Sequence, residues 1–308
     1  MQAGSLRYFV QTSRAMRHTS SSSIPDVRKV SRRDALKHLS AGSLLASGLL
    51  SGPMAAAAPL SSPAGGFRFA TINDTHYQTS ACGEWLRAVV DRIQEEKPDF
   101  CLHLGDLVDV GDRECFAAVR ELFDRLGVPV YPVPGNHDYT LAESRREYDE
   151  CFPGRTNYTF EHAGWQFIGL DTTEKLLWHD TQISAATMTW LDEKLAGVDR
   201  NRPLVVFTHF PLAVDFPLIP AGAPTNIRMQ PVNAAELLGK FRGYNLQGVL
   251  SGHFHGFTEQ QFDTATVATH RCCGRIVENH DGTTEKGFMV YTADKGRLSR
   301  RFCGVASS

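Results

Sequence analysis

Five short apolar segments of this chain share one feature: each runs into Asp, Asn or His. FRFATIN (Phe67 to Asn73) leads to Asp74-Thr75-His76, and DFCLHLG (Asp99 to Gly105) leads to Asp106-Leu107-Val108-Asp109. VPVYPV (Val128 to Val133) leads to Gly135-Asn136-His137-Asp138, RPLVVFTHF (Arg202 to Phe210) contains Thr208-His209, and NLQGVLSGHFHG (Asn245 to Gly256) contains Gly252-His253-Phe254-His255. Their β-branched and aromatic residues read as strands, and the Gly, Pro and small polar residues that follow read as strand ends. Between the first three lie helical patterns, Glu84 to Glu96 and Arg113 to Leu126. A βαβαβ order requires right-handed crossovers and a sheet covered by helices. Ligands of such sheets bind at the carboxyl ends of the strands, so these polar residues are expected to converge although they are far apart in the chain.

The remaining pattern extends the same class. YTFEHAGWQFIGLD (Tyr158 to Asp171) reads as a hairpin turning near His162 to Gly164, Ala185 to Leu195 reads as a helix, and the tail from Glu259 to Phe302 as several short strands. Two β-rich layers with flanking helices imply an α/β chain folded as a four-layer αββα sandwich, occupying residues 59–308 as one domain. With 42% hydrophobic and 21% charged residues, the composition is that of a globular protein with a sizeable core. Pro217 to Thr225 is read as a mobile loop.

Any one of these strand ends is a weak signal, because a lone histidine is more often a hydrogen-bonded core residue than a ligand. Five in order, each on a strand end, point to a site. Asp, Asn and His together suit divalent first-row metals. Other residues take the plainer reading. His103 lies within a strand and is expected in the core or behind the site, His162 and His280 in loops, and Trp85, Trp165 and Trp190 in packing. His179 and His270 are candidates to approach a substrate, and Trp178 to wall it. Asp138 is expected to support its turn.

The ordered motifs resemble the calcineurin-like metallophosphoesterase superfamily over about residues 67–256, with Asp-x-His, Gly-Asp, Gly-Asn-His-Asp, His and Gly-His-x-His in sequence. The resemblance implies that Asp74, His76 and His255 hold one metal ion, that Asn136, His209 and His253 hold a second, and that Asp106 bridges them. The ions would be Mn, Fe or Zn. It also implies that His137 is a general acid oriented by Asp109, serving hydrolysis of a phosphoester by metal-activated water. Asp109 stands where purple acid phosphatases have tyrosine, and Val110-Gly111 stands where protein Ser/Thr phosphatases have Arg-Gly. What remains resembles the compact class III cyclic-nucleotide phosphodiesterases and their glycerophosphodiesterase relatives. The substrate class implied is a small phosphodiester, with phosphomonoester hydrolysis, or an exported metal- or substrate-binding protein without turnover, as the alternatives.

Residues 1–58 differ from the rest. They hold Arg7, Arg14, Arg17, Arg28, Lys29, Arg32, Arg33 and Lys37 but only Asp26 and Asp34 among acids, against 32 Lys and Arg and 34 Asp and Glu in the whole chain. The remainder is therefore acidic, which argues against a nucleic-acid partner. SRRDALK (Ser31 to Lys37), a weakly apolar run from Leu39 to Gly52 and an Ala-rich stretch after Pro53 have the order of a cleaved export signal of twin-arginine type. The run is shorter than the roughly 20 residues a spanning helix needs, so no stable membrane anchor is expected. A periplasmic or secreted protein delivered by the twin-arginine machinery follows. Seven cysteines, Cys82, Cys101, Cys115, Cys151, Cys272, Cys273 and Cys303, are read as core or disulfide residues, at least one of them a free thiol because the count is odd.

Overall fold

The computed structural model describes residues 66–212 and 227–306. The export segment and Pro217 to Thr225 lie outside the described residues. β1 (Phe67–Ile72) is buried at every position except Arg68, as a strand covered on both faces must be. α1 (Ser80–Glu95) follows, burying Leu86, Val89, Val90 and Ile93 along one stripe. It starts four residues before the expected Glu84, with Gly83 packed against the Tyr77 ring. Next come β2 (Phe100–His103) and α2 (Arg113–Arg125), whose first turn is capped by Asp112 accepting from the amides of Glu114 at 2.9 Å and Cys115 at 3.0 Å. β3 (Val130–Pro132) completes a parallel β1-β2-β3 unit.

A short helix that the pattern does not reveal, α3 (Arg146–Cys151), packs on α2. β4 (Tyr158–His162) and β5 (Trp165–Leu170) form the expected hairpin, with Ala163 and Gly164 both at positive φ (46° and 83°), as a tight two-residue turn demands. α4 (Ala185–Leu195) has the bounds read from sequence and is capped by Ser184. Then follow β6 (Leu204–Thr208), α5 (Ala234–Gly239), β7 (Leu246–Ser251), β8 (Thr258–Phe262), β9 (Ala265–Thr269), β10 (Gly287–Asp294) and β11 (Arg297–Gly304).

The strands form two mixed sheets, β11-β10-β1-β2-β3 and β4-β5-β6-β7-β9-β8. The last two strands return to the first sheet, where β10 pairs antiparallel with β1. Aromatic residues fill the space between the sheets: Phe69 stacks on Phe100 at 5.1 Å and on Tyr291 at 5.0 Å, with Phe167 edge-on at 5.7 Å. A second apolar layer joins the first sheet to α1 and α2, and a third joins the other sheet to α4 and α5. This is the four-layer αββα arrangement. β1, β2, β3, β6 and β7 all end at the same edge of the sandwich.

All seven cysteines are free thiols, so their disulfide reading is not realised. His162 closes β4 instead of lying in a loop, with its ring edge-on to Phe67 at 4.7 Å. His270 is buried between Thr71 and Tyr291, 3.1 Å and 2.8 Å away, so it cannot approach a substrate. No helix among the described residues is long and apolar enough to cross a membrane.

Candidate metal centre

The five strand ends deliver their side chains to one place. Ligand atoms of Asp74, His76, Asp106 and His255 all lie within 4.8 Å of one another, and so do those of Asp106, His209 and His253. Asn136 joins the second group through Oδ1, 3.2 Å from His209 Nε2. Asp106 belongs to both, with Oδ2 at 3.5 Å from His76 Nε2 and 3.3 Å from His209 Nε2. All seven sequence-derived ligand residues are thus brought together, in a candidate dinuclear cluster.

The backbone bends sharply to do this. Asp74, His76, Asp106, His253 and His255 all have φ between 43° and 64°, the left-handed region that non-glycine residues seldom enter. Such residues cost on the order of 1–3 kcal/mol each and persist where the surroundings over-determine them. Gly105, at φ 88°, bends without that cost, and the site has no room for a side chain there: a Cβ would fall 2.5 Å from His209 Nδ1.

Each histidine is oriented from outside. Nδ1 of His209 donates to the Leu104 carbonyl at 2.8 Å, Nε2 of His253 to the Trp178 carbonyl at 2.7 Å, and Nδ1 of His255 to the Glu278 carbonyl at 3.2 Å. Nδ1 of His76 donates to the Asp109 carboxylate at 3.1 Å. A carbonyl or carboxylate only accepts, so each ring keeps its other nitrogen for the interior, which is how metal-binding imidazoles are held. The interior nitrogen of His76, Nε2, is buried and has no hydrogen-bond partner in the protein. That orphaned atom, facing two buried carboxylates, fits a cation.

The electrostatics agree. Burial works against ionisation of Asp74 and Asp106, yet neighbouring His255 and His209 hold both carboxyls below their ordinary range. Burial likewise opposes a charge on His209, but Asp106 outweighs it and lifts the imidazole to about 9. His253 goes the other way, to about 3, through burial and the charge on His209. Without a metal ion, one proton on His209 neutralises part of a cluster built for positive charge.

His137 lies at the rim of the cluster, its ring edge-on to that of His76 at 4.5 Å and its side chain 41% exposed. Its Nδ1 donates to the backbone carbonyl of Asp109 at 2.8 Å, while the Asp109 carboxylate is 3.8 Å away. Orientation of His137 by Asp109 therefore runs through the main chain, and the carboxylate serves His76. Asp138 has the structural part expected of it: fully buried, it accepts from the amides of Leu107 at 2.9 Å, Val108 at 3.2 Å and Gly135 at 2.8 Å, tying two motif loops together. Burial and nearby Asp106 push its carboxyl up to about 7. His103 sits behind the site as expected, with Nε2 3.0 Å from Thr75 Oγ1. His179 stays in its loop beside Asp180, at 2.9 Å. Trp178 contributes its carbonyl, and its ring packs with Met229 and Phe254. The parts played by Leu104, Trp178 and Glu278 escape sequence reading because a main-chain oxygen has no residue signature; His280 lies in a loop, as expected.

Comparison with known proteins agrees with this geometry. The chain is 30% identical over 194 residues to a 3',5'-cyclic-nucleotide phosphodiesterase of Nostoc sp., covering 62% of this chain and 69% of the relative. It is 28% identical over 184 residues to a glycerophosphodiester phosphodiesterase of Enterobacter lignolyticus, covering 56% of this chain and 62% of the relative, so the match spans less than two thirds of that protein. In fold it is similar to a dimetal phosphatase from Danio rerio, with a TM-score of 0.58 at 17% identity over 78% of this chain and 96% of that one. The calcineurin-like phosphoesterase family matches residues 67–257, which contain all seven residues of the candidate cluster. The chain belongs to the calcineurin-like phosphoesterase family and is a metallophosphoesterase.

Proposed function

We propose that this protein is an exported phosphodiesterase that hydrolyses small phosphodiesters at two metal ions. Asp74, His76 and His255 would hold one ion and Asn136, His209 and His253 the other, with Asp106 shared between the two groups. The observation that carries this reading is the set of four outward-anchored imidazoles around two buried ionised carboxylates, with a half-exposed histidine beside them. Bound divalent ions would supply charge for the phosphoryl oxygens and an activated water at neutral pH.

The protein's own groups do the rest. Because the Asp109 carbonyl only accepts, Nδ1 of His137 carries a proton and Nε2 is the nitrogen free to face a substrate. A proton on Nε2 can pass to the leaving alkoxide, which is general-acid catalysis. Burial opposes the charged form of His137, but Asp106 and Asp109 together favour it. The diester preference is supported by the names of the relatives, two kinds of phosphodiesterase. Export through the twin-arginine machinery to the periplasm or beyond is supported by the order of basic, apolar and Ala-rich stretches in residues 1–58.

The test is turnover of bis-p-nitrophenyl phosphate and p-nitrophenyl phosphate after chelation and re-addition of Mn, Zn or Fe. Metal-restored turnover that favours the diester is expected. Preference for the monoester would make it a phosphomonoesterase, and metal binding without turnover of either would make it a binding protein.

A further inference from the structure

The family match stops at residue 257, yet the loop joining β9 to β10, residues 270–286, lies against the metal centre. The Glu278 carbonyl fixes His255, as described, and the amide of His280 donates to the His255 carbonyl at 2.8 Å. The His280 ring lies parallel to that of His255, with centroids 5.3 Å apart and planes 7° from parallel. Near the start of the loop, the Cys273 amide donates to the Asn73 carbonyl at 2.9 Å, and the His270 carbonyl accepts from Asn73 Nδ2 at 3.4 Å. Asn73 Nδ2 also donates to Asp74 Oδ2. Gly274 passes so close to this ligand turn that a Cβ would come 2.6 Å from the Asp74 carbonyl oxygen.

These contacts fall on one side of the centre. Asp74 and His255 belong to the first metal position; the imidazoles of the second are braced elsewhere, His209 by Leu104 and His253 by Trp178, and the two positions meet where the His253 amide donates to the Asp74 carboxylate at 3.0 Å. The loop is itself rigidly tied. Asn279 accepts from the Cys272 amide at 3.2 Å and donates to the Glu285 carbonyl at 2.8 Å, while Asp281 accepts from the Phe257 amide at 3.0 Å and from Arg271 Nε at 2.8 Å. A ligand held by a preorganised outer partner binds its ion more tightly, and removing such a partner typically costs about 10–100-fold in metal affinity.

We propose that loop 270–286 sets the affinity of only one of the two metal positions, that of Asp74, His76 and His255, with His280 as the positioning residue that holds the His255 ring. This rests on the division of ligands into two positions made above. The loop thereby separates the two affinities, so that they are tuned by different parts of the chain.

The test is equilibrium dialysis of the full chain against buffered free Mn or Zn, with metal bound per chain as the readout. Wild type is expected to bind two ions. In His280→Ala one ion should bind as before and the other about 10-fold or more weakly, whereas His280→Phe, which keeps a flat ring for stacking, should restore it. Asn279→Ala, which loosens the loop without touching His255, should weaken the same ion. A double-variant comparison assigns the position: His280→Ala should add nothing to His255→Ala but should weaken the ion that remains in His253→Ala. Equal weakening of both ions, weakening of neither, or failure of the Phe variant to restore binding would overturn the proposal. Fewer than two ions in wild type would overturn the two-position division and this inference together. Two ions bound without phosphodiester turnover would overturn the proposed function and leave this inference standing.

Discussion

The carboxylate of Asp109 lies 3.1 Å from Nδ1 of His76, whereas His137 reaches only the carbonyl of the same residue, at 2.8 Å. One residue thus steadies two histidines by two different groups. Substitution Asp109→Asn keeps the carbonyl and removes the charge facing His76. The expected result is a loss of about 10–100-fold in metal affinity, with the activity returning at saturating metal. Metal titration of the variant, followed by assay at high metal, checks this; an unchanged affinity with impaired turnover of poor leaving groups would return the carboxylate to His137.

His137 is expected to matter in proportion to the basicity of the leaving group. His137→Ala should retain both metal ions and lose about 10²–10⁴-fold in turnover of alkyl diesters. With p-nitrophenolate, which departs without protonation, the loss should be much smaller. Comparing an alkyl with a p-nitrophenyl diester in the same variant decides the matter, and an equal loss on both would remove the general-acid assignment.

Metal binding should release protons. In the metal-free protein His209 carries a proton up to about pH 9, because Asp106 outweighs the effect of burial. A metal ion needs the free nitrogen and displaces that proton. Affinity at the His209 position should therefore rise with pH throughout the range below about 9, then level off. Calorimetry in buffers of different ionisation heat should show the released proton below pH 9, and a pH-independent affinity over that window would contradict it.

Gly105→Ala should damage both fold and site. Its φ of 88° is unfavourable for alanine, and the added Cβ would collide with the His209 ring. A stability loss of about 1–3 kcal/mol is expected in denaturant unfolding, together with loss of the ion held by His209. Full stability with both ions bound would show that the close approach of these two residues is dispensable.

Much of this was legible in the sequence, for a physical reason. A strand buried on both faces seldom carries Asp, Asn or His, so Asp74, Asp106, Asn136, His209 and His253 stand out where the apolar runs of β1, β2, β3, β6 and β7 stop. α4 was equally plain, since Ser184 marks its start. α3 and α5 are each six residues long, too short to show a period. The burial of His270 and the ring contact of His280 do not follow from composition, because each is defined by a partner on another strand or loop: Tyr291 buries the first, and His255 stacks on the second. The division of labour within Asp109 was hidden for the same reason, since only geometry separates its carboxylate from its carbonyl.

The place of β10 in the first sheet bears on the order of events during synthesis. β1 holds the turn with Asp74, yet one of its two neighbours is a strand whose Ala293 pairs with Phe67. As the chain leaves the ribosome, β1, β2 and β3 can associate early, but the free edge of β1 stays uncovered until residues 287–304 have emerged. A nascent chain released after the Gly-His-Phe-His motif would possess every metal ligand and still present an open, apolar edge beside the first of them. Folding of the centre is in this sense a terminal event, and premature release should produce an aggregation-prone species instead of a smaller working enzyme.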